Sequence, residues 1–148
     1  MKKFTLNYVK LMTFFTLISY SLVSFSSESP EDFTDIYSVV QLYLDGTSSG
    51  KPSLVDEAFL SSLEIQWINN KGEFSRRKAK DYINNITKGK IVPRYGHIVS
   101  MDVTNNIAQV KVEIDWNKKR YTDYMLLIKI EGIWRISNKV ATWVDKSS

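Results

Sequence analysis

The stretch from Ile107 to Trp116 alternates without a break, with Ala108, Val110, Val112, Ile114 and Trp116 on one side and Gln109, Lys111, Glu113 and Asp115 on the other. Successive strand side chains point to opposite faces, so this pattern demands a sheet with one dry face and one wet face. Gly96 to Val103, Tyr121 to Ile130 and Ile133 to Val144 are also strand-like. Their connections, Thr104-Asn105-Asn106, Asn117-Lys118-Lys119-Arg120 and Glu131-Gly132, are of hairpin length and carry turn residues. The last third of the chain therefore reads as an antiparallel meander, and what precedes it has to cover the dry face.

The earlier residues supply that cover. Ile36, Val40 and Tyr43, with Val39 and Leu44 beside them, recur at the helical period, so a first helix is expected from Asp32 or Thr34 to about Asp45, ended by Gly46 and the Thr47-Ser48-Ser49-Gly50 run. Pro52 suits the first turn of a second helix reaching Leu60. A strand over Leu63–Ile68 and a short one around Phe74 flank the turn Asn69-Asn70-Lys71-Gly72. A third helix is expected from about Arg76 to Thr87, with Ala79, Tyr82, Ile83 and Ile86 on one face. Helices first and a meander last predict an α+β fold: three N-terminal helices packed on one face of a bent, mostly antiparallel sheet.

Residues 1–26 have the pattern of a signal peptide: Lys2-Lys3, an apolar stretch from about Leu11 to Phe25, and Ser24 and Ser26 at the small-residue positions before a cleavage site. The apolar stretch is shorter than the ~20 residues of a spanning helix, so no membrane span is expected after cleavage. This predicts an exported protein, periplasmic or secreted, with a polar linker over 27–32 and one domain over 33–146. At 148 residues with 43% hydrophobic side chains the chain supports one core rather than two. Three lysines, Lys2, Lys3 and Lys10, fall in a leader without acidic residues, so of the formal +4 about +1 remains on the rest. Arg76-Arg77-Lys78 and Lys118-Lys119-Arg120 read as solvated loops or helix starts, and nucleic acid is not an expected partner. With no cysteine, neither a lipidated cysteine nor a disulfide can form.

Tyr43-Leu44-Asp45-Gly46 at the end of the first helix, Thr122-Asp123-Tyr124 opening a late strand, and Gly132-Ile133-Trp134-Arg135-Ile136-Ser137-Asn138-Lys139 near the end carry a family resemblance. Together they resemble the putative lumazine-binding family of the nuclear transport factor 2-like, or polyketide cyclase-like, superfamily. The resemblance covers roughly Phe33 to Val144. It implies a cone-shaped fold in which three helices close one side of a strongly bent sheet and leave a pocket. It implies no reaction, because function lives in the site rather than the fold.

The candidate ligand-binding residues are His97, Tyr124, Asn138, Tyr43, Tyr82 and Trp116. His97 is the lone histidine; by strand parity it shares a face with Val99, Met101 and Val103, where it serves either as a general acid or base or as a hydrogen-bonded core or rim residue. Asn138 shares a face with Trp134, Ile136 and Val140, and Tyr124 is placed inward with Leu126 and Ile128. Asp123 and Lys139 take the opposite parity and read as a structural ion pair, Asp45 being the other partner open to Lys139; an inward Asp123 requires a bulge. No carboxylate then shares the face of His97, so binding of a small, partly apolar ligand is favoured over turnover. A cofactor-free lyase or isomerase using His97, and a dimeric interaction module with a filled pocket, are the alternatives. No cofactor is expected, and one histidine without cysteine offers no metal site. Met125 and Leu127, read as outward, predict a homodimer through the outer sheet face. The leader pattern predicts a mature N-terminus near Ser27; Met1 retained on N-terminal sequencing of protein from its own host contradicts it.

Overall fold

Pro30 opens a 19-residue helix, α1 (Pro30–Ser48), that buries Ile36, Val39, Val40, Tyr43, Leu44 and Thr47 at spacings of three and four. The computed structural model describes residues 30–146. The leader and residues 27–29 of the expected linker lie outside the described residues. Pro30 to Asp32 belong to the helix instead of the linker, because Asp32 is tied down: its Oδ1 accepts from Lys129 Nζ at 2.6 Å and from Trp134 Nε1 at 2.9 Å. That bond fixes the start of α1 to the sheet.

α2 (Pro52–Ala58) packs beside α1, and the hairpin β1 (Glu64–Ile68) and β2 (Phe74–Lys78) follows. Asn69 Oδ1 caps its turn by accepting from the backbone N–H of Lys71 and Glu73. α3 (Ala79–Asn84) is shorter than expected at its start, since Arg76, Arg77 and Lys78 pair with Gln66, Ile65 and Glu64 as strand residues. β3 (Arg94–Thr104), β4 (Ile107–Trp116), β5 (Lys119–Ile130) and β6 (Ile133–Asp145) form the expected meander.

The six strands make one sheet in the order β2-β1-β6-β5-β4-β3, with β1 and β6 parallel and the other pairs antiparallel. Val110, Val112, Ile114, Met125, Leu127, Trp134 and Ile136 cover its inner face, and Ile36, Val40, Tyr43, Val55 and Leu63 meet them from the helical side. Gly96 matters here: a Cβ at that position would collide with Leu44 Cδ2, so its missing side chain lets α1 settle against β3.

Two register shifts give the sheet its local form. On β3, Ile98 lies opposite Val112 and Ser100 opposite Lys111, so Val99 is an extra residue. On β6, Ile136 lies opposite Leu127 and Asn138 opposite Leu126, so Ser137 is an extra residue. Each bulge turns the rest of its strand over by one residue.

Candidate functional site

The bulge at Ser137 decides what lies under the helices. Trp134 and Ile136 point inward before it; Lys139, Ala141 and Trp143 point inward after it, and Asn138 and Val140 go to the outer face. The bulge is polar at the right places: Ser137 Oγ donates to Leu126 O and Asn138 Oδ1 accepts from the backbone N–H of Lys139, satisfying groups that the broken ladder leaves. On β5, Tyr121, Asp123, Met125 and Leu127 are the inward set.

Lys139 and Asp123 therefore meet in the interior. Lys139 Nζ donates to Asp123 Oδ2 at 2.8 Å and to the Tyr43 hydroxyl at 2.9 Å, and that hydroxyl donates to Asp123 Oδ2 at 2.9 Å. The side chains are 5% and 2% exposed, so this ion pair is nearly dry. Burial first, then the charge of Asp123, pushes the Tyr43 hydroxyl well above its ordinary value, and it stays protonated as the donor the triangle needs. The three sequence stretches that carry the family resemblance each contribute one member.

The triangle forms the floor of a cavity of about 210 Å³. Its walls are Trp67, Tyr82, Trp116, Tyr121 and Trp143, with Ile65 and Ala141 between them and Arg77 and Arg94 where it adjoins a neighbouring hollow that both also line. Tyr121 sits between Trp116 and Trp143 with ring centres 6.0 Å from each, and Tyr43 and Tyr82 face one another at 6.5 Å. The Arg77 guanidinium lies 5.6 Å from the Trp67 ring, and that of Arg94 5.9 Å from the Tyr43 ring. Burial opposes the charge on Arg94, but Tyr43 and Tyr82 more than offset it and hold the guanidinium above its ordinary value.

Of the six candidate ligand-binding residues, Tyr43, Tyr82 and Trp116 line this cavity, and His97, Tyr124 and Asn138, expected together on one wall, do not. His97 is exposed on the outer face, opposite Glu113, because Val99 interrupts the parity that linked it to Met101 and Val103. Tyr124 is 45% exposed, whereas Met125 and Leu127, expected outside, are fully buried. The run Tyr124–Ile128 is apolar on both parities and gives no face of its own. The hairpin register settles it: Trp116 pairs with Lys119, so the inward even positions of β4 face odd positions of β5, and Val112 and Ile114 face Asp123 and Tyr121. The alternation of β4 thus held a signal for an inward Asp123 without any bulge on β5. Arg94, which no motif marked, arrives at the start of β3, and Arg77, from the basic run read as a solvated loop or helix start, arrives through β2.

Residues 31–141 match the family described as "Putative lumazine-binding". The chain belongs to this family. Solved structures place it in the nuclear transport factor 2-like fold. A nuclear transport factor 2-like protein of unknown function from Methylobacillus flagellatus superposes with a TM-score of 0.71 at 23% identity, over 80% of this chain and 96% of that one. A second, from Shewanella baltica, gives 0.70 at 21% identity over 78% and 96%. A ketosteroid isomerase-like protein from Erwinia carotovora gives 0.62 at 14% identity over 79% and 99%. Among curated proteins the aldolase FrzH of Cladobotryum sp is 27% identical over 60 residues, 40% of this chain and about half, 48%, of that relative.

Lys139→Met leaves the Asp123 charge buried and uncompensated, and lowers stability in denaturant unfolding by about 3–5 kcal/mol. Tyr43→Phe keeps the ion pair and removes hydrogen bonds, costing on the order of 1–2 kcal/mol. Equal losses in the two variants contradict the primacy of the ion pair.

Proposed function

We propose that this protein is an exported, non-catalytic binding domain that holds a small, partly apolar ligand in the cavity between the helices and the sheet. The observation that carries the reading is the combination of aromatic walls with a floor whose one carboxylate is already engaged. Small-molecule sites pair an apolar lining with a few convergent polar groups, and this cavity has that composition. A general base must have a lone pair free for the substrate proton. Asp123 is instead held by Lys139 and Tyr43, and His97 stands on the far side of the sheet. The lyase or isomerase alternative would have to work through the remaining oxygen of a carboxylate already anchored at Oδ2, and the short likeness to an aldolase transfers no reaction. Export rests on the pattern of residues 1–26 alone.

We further propose a homodimer through the outer sheet face, now carried by Tyr124, Leu126 and Val140 in place of Met125 and Leu127. These three lie side by side across β5 and β6 and are 45%, 47% and 47% exposed. Charges of both signs on β4 and β5, Lys111, Glu113, Asp115 and Arg120, give this apolar patch a polar rim.

Native mass spectrometry of protein isolated from its own host tests the binding reading. A noncovalent small-molecule adduct is expected on the wild type and is lost in Ala141→Phe, which fills the cavity; an adduct unaffected by that change, or recovered chemically altered on incubation, overturns the reading. Leu126→Lys with Val140→Lys is expected to yield a folded monomer in light scattering, and a wild-type monomer at tens of micromolar ends the dimer proposal.

A further inference from the structure

The polar groups of the cavity are unequal in sign. Arg77, Arg94 and Lys139 carry positive charge there, and Asp123 alone carries negative charge. Lys139 and Asp123 neutralise one another across 2.8 Å. Two guanidiniums remain, and among the described residues no carboxylate lies within ion-pair distance of either. The Nε of Arg94 is also buried without a hydrogen-bond acceptor. A buried donor left unpaired is unfavourable, and a charged planar fork is the side chain best suited to a carboxylate. A cationic ligand finds the reverse: the one carboxylate of the cavity is already paired with Lys139.

Size and wall chemistry narrow the ligand further. A cavity of about 150 Å³ holds one benzene ring, and drug-sized molecules take pockets of about 300–1,000 Å³. At about 210 Å³ this cavity accepts one substituted ring or a compact fused pair. Its flat indole and phenol walls favour a planar, aromatic body.

We propose that the cavity takes a planar aromatic monoanion, an ionised single-ring carboxylic acid, with its ring against the tryptophans and its carboxylate on Arg94, while Arg77 adds positive charge. This rests on the binding reading and specifies the ligand class for that site. The ring supplies contact area and the arginines set the sign. Because Asp123 is balanced by Lys139, it does not repel the anion.

Quenching of tryptophan fluorescence tests the proposal with four probes: benzoate, its neutral amide benzamide, benzylamine as the cation, and acetate as a carboxylate without a ring. A charge-assisted pair to arginine predicts benzoate tighter than benzamide by about tenfold or more, with acetate and benzylamine weaker still. Raising salt weakens benzoate and leaves benzamide unchanged. Arg94→Gln brings benzoate to within about threefold of benzamide, and Arg94→Lys retains part of the preference. Benzamide or benzylamine binding as tightly as benzoate in the wild-type protein overturns the anion inference while leaving the cavity a binding site. The absence of saturable quenching by any ring compound at millimolar concentration overturns the ligand class and the binding reading together. The wild-type comparison decides the matter even if the Arg94 variants fail to fold, which circular dichroism reveals.

Discussion

A lysine and an aspartate buried 2.8 Å apart, with a tyrosine hydroxyl closing the triangle, set the terms for the rest of this molecule. Each charge alone would be costly in an interior of low dielectric, so the two must stay together, and the strands that carry them must keep their register. Lys139 lies on β6, Asp123 on β5 and Tyr43 on α1, so one cluster locks the long helix to the two central strands. A typical domain is stable by about 5–15 kcal/mol, and losing one partner of a buried pair costs about 3–5. The cluster is therefore a large fraction of what holds the cavity floor in shape. At the opposite end of α1, Asp32 does a related job by gripping Lys129 and the Trp134 indole.

The same cluster determines the character of the space above it. Since the pair is internally neutral, the charge that a ligand meets comes from Arg77 and Arg94 rather than from the floor. The walls, built of Trp67, Trp116, Tyr121 and Trp143, provide area without polar demands. The two sides of the sheet thus divide the work. On the proposed reading the inner side receives a small molecule, and the outer side, with Tyr124, Leu126 and Val140 beside charges of both signs, meets a second copy.

Most of the fold was legible in the sequence because its signals are periodic: the strict alternation of β4, the helical spacing from Ile36 to Leu44, and hairpin turns rich in Asn and Gly. The site was legible only in part. Tyr43, Tyr82 and Trp116 follow from those regular elements, whereas His97 and Asn138 lie next to bulges, and one inserted residue reverses a strand's faces. Val99 gives no local sign of its bulge, being one apolar residue among others. Ser137-Asn138 does, in retrospect, since adjacent short polar side chains can satisfy the backbone groups a bulge exposes. Tyr124 was misplaced for a different reason: β5 is apolar on both parities there, and its face is set by pairing to β4. Arg94 carried no pattern, and the basic run Arg76-Arg77-Lys78 reads as a solvated loop or helix start, whereas pairing with β1 makes it a strand and brings Arg77 to the cavity.

On the proposed reading, ligand binding belongs to the inner face, over the Asp123–Lys139–Tyr43 floor, and not to the face that carries His97. Indole N–H resonances report this directly, since Trp67, Trp116 and Trp143 line the cavity while the Trp134 indole is committed to Asp32. On titration with benzoate in a two-dimensional nitrogen–proton spectrum, the first three indole signals are expected to shift together and saturably, with Trp134 and the His97 backbone amide unmoved. Shifts centred on His97 and Tyr124, with the three cavity indoles unchanged, would contradict the account.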